Sequence, residues 1–301
     1  MSVAFASVDE VASRLLAVSY IADGRTATAV FLADRLRKPL LVEGPAGVGK
    51  TELAKAVAQA LGAELIRLQC YEGLDEAKAL YEWEYPKQLL YTQVLRDKIG
   101  EVLAGTHSIS EAVERLASQE DAFFSERFLL PRPLLRAIRS DQRCVLLIDE
   151  VDRSDPEFEA FLLEVLSDYQ VSVPELGTLK AKVAPLVFLT SNNVREMTDA
   201  LKRRCLHLYL AFPDAARELA IVQARCPDSD RKLSEEVVRV VQSLRTLDLK
   251  KKPSISETLD WVRALALLHA SSFAPEVLRD TLHLVLKYEG DLAEAREKLP
   301  S

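Results

Sequence analysis

Two groups of residues in this chain have types and spacings that could do chemistry. The first is Gly44-Pro45-Ala46-Gly47-Val48-Gly49-Lys50-Thr51, which fits G-x-x-x-x-G-K-[ST]. Its glycines let the backbone wrap closely round a phosphate, and the loop N–H groups with a following helix N-terminus supply positive potential. The spacing puts Lys50 within reach of the β and γ phosphates of ATP and the Thr51 hydroxyl on its Mg²⁺. A tight strand-to-helix turn without a ligand would need Gly but not Gly-Lys-Thr. The second group is Asp149-Glu150, two carboxylates closing the apolar run Val145-Leu146-Leu147-Ile148. An Asp at such a strand end holds Mg²⁺, usually through water, so Asp149 is the expected metal residue. Glu150 is placed to polarise an attacking water as general base. Solvated acids at a strand end are the ordinary alternative, which the upstream phosphate loop disfavours. The adjacent pair favours hydrolysis over transfer to a small molecule, because a kinase must exclude attack by water.

These groups need a scaffold of strands and helices. Short apolar runs alternate with helical patterns in the first two thirds, which predicts a parallel sheet with helices on both faces. Strands are expected from Leu40 to Glu43, Glu64 to Cys70, Cys144 to Ile148, Leu186 to Thr190 and Leu206 to Leu210, each rich in Leu, Ile or Val as doubly covered strands are. Helices are expected from Val8 to Ser19, Gly24 to Leu36, Lys50 to Leu61, Glu157 to Leu166 and Asp199 to Arg203. A hairpin is expected from Gln170 to Val173 and Thr178 to Lys182, turning through Pro174-Glu175-Leu176-Gly177. After Phe212-Pro213-Asp214 the pattern is helical to the end. The expected division is therefore an α/β nucleotide-binding domain over 1–212 and a small all-helical domain over 213–301. Ser254 with Glu257 reads as a capping box opening a helix through Leu259, Val262 and Leu265.

Composition narrows the function classes. With 301 residues, 49% of them hydrophobic, the chain can bury a sizeable core. Its 39 Lys and Arg against 46 Asp and Glu give a net charge of −7, which opposes non-specific attraction to nucleic acid. Cys70, Cys144, Cys205 and Cys226 lie far apart and form neither a metal knuckle nor a disulfide framework. No secretion signal or apolar run long enough to span a bilayer is visible, so a cytoplasmic location is expected.

With both motifs in hand, Leu189-Thr190-Ser191-Asn192-Asn193 resembles the sensor 1 strand end of AAA+ ATPases, where a polar residue helps position the attacking water. Asn192 is the first choice and Asn193 the alternative. Asp199-Ala200-Leu201-Lys202-Arg203-Arg204-Cys205 resembles the segment that carries an arginine finger, which reaches the γ phosphate held by a neighbouring subunit. Arg203 and Arg204 are not distinguished, and a basic helix end that favours its dipole is the plain alternative. Over nearly its full length the chain is similar to the MoxR family of AAA+ ATPases, most closely to the CoxD-like branch. The strings Leu68-Gln69-Cys70-Tyr71-Glu72-Gly73-Leu74-Asp75, Tyr81-Glu82-Trp83-Glu84-Tyr85-Pro86-Lys87-Gln88-Leu89-Leu90 and Ser254-Ile255-Ser256-Glu257-Thr258-Leu259-Asp260-Trp261 carry that narrower likeness.

The resemblance implies an αβα P-loop domain, a helical lid and a hexameric ring with ATP at subunit interfaces. It implies a chaperone that matures a client metalloenzyme beside a von Willebrand factor A domain partner. For the CoxD-like branch the implied client is a molybdenum hydroxylase such as carbon monoxide dehydrogenase. Many relatives carry a sensor 2 arginine where this chain has Ser254-Ile255-Ser256-Glu257; Arg263 lies a turn or more further along, and whether it substitutes is left open by the sequence. Tyr81, Trp83 and Tyr85 suit either a protein contact or the packing of an inserted helix. Tyr20-Ile21 suits either an adenine pocket or plain core. The competing functions are a DNA-directed AAA+ motor or loader, against which the acidic balance stands, and a nucleotide-gated scaffold that hydrolyses little.

Overall fold

Alternation of apolar side chains builds the centre of the molecule. The computed structural model describes residues 5–94, 129–173, 177–268 and 274–298. In chain order, α1 (Val8–Ala17) and α2 (Gly24–Leu36) lead into β1 (Leu40–Glu43), α3 (Lys50–Leu61), β2 (Glu64–Gln69), α4 (Glu76–Leu80), β3 (Tyr81–Trp83) and α5 (Tyr85–Val94). Then come β4 (Leu129–Pro131), α6 (Pro133–Arg139), β5 (Cys144–Asp149), α7 (Pro156–Asp168), β6 (Gln170–Val173), β7 (Gly177–Lys180), β8 (Leu186–Ser191), α8 (Asp199–Arg204) and β9 (Leu206–Tyr209). Strands β2, β5, β8, β1 and β9 lie side by side in that order, all parallel. Successive side chains of a strand point to opposite faces. Accordingly Leu41, Leu146, Ile148 and Leu189 join the core on one face, and Leu40, Val42, Leu147 and Phe188 the core on the other. Every residue of β5 and β8 is buried, as expected of central strands covered on both sides.

The expected α/β sandwich followed by a helical region is what the chain forms. Most elements fall within a residue or two of their expected ends. The first helix stops at Ala17 rather than Ser19, because Ser19 turns to φ 60°. Around Tyr81 the structure adds an element: Tyr81–Trp83 forms a strand paired antiparallel with β4, and a helix follows over Tyr85–Val94. The hairpin of β6 and β7 pairs Gln170 with Lys180 and Val173 with Gly177, while its expected turn residues Pro174, Glu175 and Leu176 lie outside the described residues.

Beyond Tyr209 the described residues are helical: α9 (Ala215–Arg225), α10 (Arg231–Thr246), α11 (Ile255–Leu267), α12 (Pro275–Thr281) and α13 (Glu289–Lys298). Apolar faces spaced three and four residues apart converge on the buried Trp261, Val222, Val241 and Leu265, forming a core separate from those flanking the sheet. The Ser254–Glu257 pair makes both bonds of a capping box at the start of α11. Inside this bundle Arg245 donates to both oxygens of Glu218 at 2.6 and 2.7 Å, and Thr258 and Gln242 complete the set at 2.8 and 2.7 Å. The helical region meets the sheet domain through Arg217 with Asp23, Arg225 with Glu52, and the Ile255 N–H on the Gly47 carbonyl. Among the described residues no helix is long and apolar enough to cross a membrane.

Candidate nucleotide site

The carboxyl ends of β1, β5 and β8 bring the expected residues together. The loop leaving β1 is cramped on both sides. Gly44 has φ +148°, and a Cβ there would lie 2.1 Å from the Leu210 carbonyl oxygen; at Gly47 (φ +74°) it would lie 2.3 Å from the Cβ of Ser254. Only glycine fits at either position. The loop, with Pro45, Ala46, Val48 and Gly49 between these glycines and Lys50, therefore runs between β9 and the start of α11. Its glycine-lined curve opens directly into α3, whose first residues are Lys50 and Thr51.

A polar network joins that loop to the two neighbouring strands. The buried Lys50 ammonium donates to the Gly44 and Pro45 carbonyls at 2.6 and 2.7 Å and to Asn192 Oδ1 at 2.7 Å. Burial pushes its pKa below the ordinary lysine range, with Asp152, Asp149 and Glu150 pulling the other way. Asn192 Nδ2 in turn donates to Glu150 Oε1 at 3.3 Å. One asparagine thus links the phosphate-loop lysine to the carboxylate expected to act as base. Asn193 takes a left-handed conformation (φ 57°) and turns back on Ser191, so the structure brings Asn192 and not Asn193 to this network.

Asp149 is buried at 2% exposure, with both oxygens engaged. Its Oδ1 accepts from Thr51 Oγ1 at 2.9 Å and Thr190 Oγ1 at 2.6 Å; its Oδ2 accepts from Arg67 Nε and Nη2 at 3.0 and 2.5 Å. Glu150 is reached by Gln69 Nε2 at 3.1 Å and by Arg153 at 3.0 Å, and its N–H donates to Thr190 Oγ1 at 2.9 Å. Arg67, Thr190 and Gln69 were not singled out from the sequence. Neither was Asp152, whose Oδ2 holds the N–H groups of Asn192 and Val194 at 3.0 and 2.9 Å while its buried Oδ1 has no partner among the described residues. A second acid two residues after Asp149-Glu150 was the available signal, but it reads equally as a solvated turn residue.

The expected finger residues lie elsewhere. Arg204 Nε donates to Ser167 at 2.6 Å and Arg203 is exposed, and among the described residues neither hydrogen-bonds to the Lys50 network. A cavity of about 260 Å³ opens beside the loop, lined by Tyr20, Ile21, Val48, Leu210 and Leu259 among others. Tyr20 is both core and wall: it is 8% exposed, and burial pushes its phenol well above the usual range. Arg263 lines the same cavity but pairs with Asp260 at 3.1 Å, while Ser254 touches the loop itself.

These residues fit ATP with Mg²⁺. A glycine cradle, a lysine and a helix start suit the phosphates, and an apolar-walled cavity of this size beside them suits a base. The Thr51 hydroxyl beside the Asp149 carboxylate is the hard-oxygen pair that Mg²⁺ takes together with phosphate oxygens and water. Among the described residues no group of three or more His, Cys, Asp or Glu could hold a metal by itself. Burial, with Asp149 nearby, pushes the Cys70 thiol up to about 12, and burial pushes that of Cys205 up to about 12.

Comparison with known proteins agrees with this geometry. An uncharacterized protein of Staphylococcus aureus (strain bovine RF122 / ET3-1) is 25% identical over 237 residues, 76% of each chain. The gas vesicle ATPase GvpN of Haloferax mediterranei is 27% identical over 217 residues, 69% of this chain and 56% of that one. Among solved structures, a RuvB mutant of Thermotoga maritima aligns with a TM-score of 0.49 at 15% identity, over 93% of this chain and 71% of the other. Residues 40–212 match the ATPase family associated with various cellular activities, so the chain belongs to the AAA family of ATP-hydrolysing P-loop proteins.

Proposed function

We propose that this ATPase is a ring-forming protein remodeller whose active sites are shared between neighbouring subunits. The observation that carries the reading is the Lys50–Asn192–Glu150 chain of hydrogen bonds, which ties phosphate binding to the base that would activate water. In this reading the loop from Gly44 to Gly49 and Lys50 hold the phosphates, and Thr51 and Asp149 hold Mg²⁺, which supplies charge neutralisation at the β and γ oxygens. Glu150 accepts a proton from the attacking water and Asn192 orients that water. ADP leaves as the bond to the γ-phosphorus breaks.

Asp149 needs its Oδ1 to serve the metal through water, and Arg67 fixes the opposite oxygen so that the carboxylate cannot rotate away. Arg203 or Arg204 then completes the site of the adjacent subunit, a contact worth roughly 10³–10⁵ in rate where such fingers have been measured. The exposed Arg203 suits reaching outward better than Arg204, which is tied to Ser167. AAA proteins are typically ring oligomers, and a hexamer is the expected number.

The finer reading is a MoxR-type chaperone of the CoxD-like branch. It acts in the cytoplasm with a von Willebrand factor A domain partner, and it matures the metal-sulfur centre of a molybdenum hydroxylase such as carbon monoxide dehydrogenase. Its support is the three sequence strings quoted above. The Haloferax relative, a gas vesicle ATPase, supports the ATPase part of this reading. A DNA-directed motor is disfavoured by the net charge of −7 and by the hairpin region, where Lys182 is paired with Asp141 at 2.8 Å.

The test is steady-state ATPase with Glu150→Gln and with Arg203→Ala and Arg204→Ala mixed into wild-type chains. Glu150→Gln is expected to bind ATP and lose about 10²–10⁴ in turnover. One arginine variant is expected to poison the mixture out of proportion to its share. Wild-type turnover by Glu150→Gln would remove the base, and a strictly proportional loss with freely exchanging subunits would remove the shared site.

A further inference from the structure

A cavity of about 970 Å³ lies away from the nucleotide site. It is lined by residues that precede the strands: Lys38 before β1, Arg143 before β5 and Pro185 before β8. Those strands run four to six residues, so at ~3.3 Å per residue the cleft is roughly 13–20 Å from the phosphate loop, at the opposite edge of the sheet. Ligands of open parallel sheets sit beyond the carboxyl ends of the strands, so this cleft is no extension of the ATP site.

Its charge runs against that of the chain. The lining includes Arg14, Arg35, Arg37, Lys38, Arg143 and Lys182, with Asp34 the one acid among them. Arg143 is answered by Asp34, Arg14 by Glu10 and Lys182 by Asp141, and Arg37 is engaged as well. Arg35 has no acidic partner among the described residues: it donates to the Ala6 carbonyl and lies 5.3 Å from the centre of the Phe31 ring, neither of which carries negative charge. Lys38 is exposed at the mouth. Arg143 is held rigidly by the buried Asp34, yet its buried Nε has no hydrogen-bond partner among the described residues. Between the cations the walls are apolar, from Leu61, Val183 and Pro185.

We propose that this cleft is a docking site for an acidic polypeptide segment of a partner protein. A chain of net charge −7 that concentrates unanswered cations in one concave place selects for acidic ligands there while repelling polyanions elsewhere. Enclosure and apolar walls suit a peptide that offers carboxylates and aliphatic side chains in turn; a nucleic-acid backbone would ask instead for an extended basic track. Three strands run from the cleft to the ATP-binding edge, so the docked segment sits on the elements that carry Gly44, Asp149 and Asn192.

The test is fluorescence anisotropy of a labelled Glu-rich peptide of about eight residues, long enough to cross such a cleft when extended, titrated with the full chain. Binding that weakens as salt is raised is expected. Lys38→Glu should weaken it by about tenfold, as loss and reversal of one contacting charge does. Lys232→Glu, an equal change of net charge on the exposed surface of α10, should leave it unaltered. Arg35→Gln, milder in charge, should weaken it in the same direction and stands in if Lys38→Glu folds poorly. No binding at low salt would overturn the proposal. So would equal weakening by Lys38→Glu and Lys232→Glu, or displacement of the peptide by a single-stranded oligonucleotide that binds more tightly. None of these readouts depends on ATP turnover, so failure here and failure of the ring mechanism are told apart.

Discussion

Two of the buried charge networks among the described residues are built to opposite ends. In the helical region Glu218, fully buried, is met by Arg245, Thr258 and Gln242, and Arg245 also donates to the Pro253 carbonyl and stacks on Phe212. Acceptors and donors match. At the nucleotide site Lys50 is buried with a depressed pKa, Asp152 keeps an oxygen without a partner and Glu150 remains partly open to solvent. Charge that is fully matched holds helices in register; charge left partly matched remains available to a substrate. A folded chain tolerates the second kind only where function uses it.

This contrast can be broken at either end. The largest expected effect is at Lys50: Lys50→Met should abolish ATP binding and hydrolysis, read by a fluorescent nucleotide and phosphate release. Its effect on stability has the other sign. Because the folded-state pKa is lowered, the ammonium is less favourable folded than unfolded, a burden present below the folded pKa and relieved only as pH rises through it. The melting temperature of Lys50→Met at neutral pH should therefore not fall. Glu218→Ala should do the reverse, costing about 3–5 kcal/mol in denaturant unfolding by stranding Arg245, whereas replacing both partners with apolar residues should cost little. A large loss of stability in Lys50→Met, or none in Glu218→Ala, would erase the distinction.

Smaller changes sharpen it. Asp152→Ala removes the acceptor for the Asn192 and Val194 N–H groups, and is expected to lower kcat about 10-fold or more with little change in KM for ATP. Asp152→Asn, which can still accept, should restore most of that rate; failure to do so would show that the charge and not the hydrogen bonds is what the site needs. The smallest effect is Ser254→Ala. Loss of the cap on α11 should cost about 1 kcal/mol, read as a lower melting temperature.

Legibility in the sequence followed separation along the chain. The phosphate loop and Asp149-Glu150 are contiguous, and their local strand and helix contexts are equally local, so residue type and period sufficed. The hydrogen bonds of Arg67 to Asp149 span 82 residues and that of Lys50 to Asn192 spans 142. No spacing announces such pairs. The preference for Asn192 over Asn193 could not rest on residue type, since both are asparagine; in the structure the left-handed turn at Asn193 separates them, and Asn192 is the one that meets Lys50. The strand Tyr81–Trp83 could not be read from the sequence, because three residues are too few to show a period and the strand exists through pairing with Leu129–Pro131. The basic cleft left no trace at all, since its cations come from four separate stretches of a chain that is acidic as a whole.

By itself, then, the sequence determined the fold class, the phosphate loop, the paired carboxylates and the helical character of the last third. These rest on local chemistry: glycine conformations, apolar periods of two and 3.6, and side chains that face each other across one turn. Tertiary structure alone decided which asparagine meets Lys50, which arginine clamps Asp149, and that Ser254 packs against Gly47 where an arginine was looked for. It also decided that six cations share one cleft. Such meetings depend on strand order and on how helices cross the sheet, and those are set by the burial of the whole core.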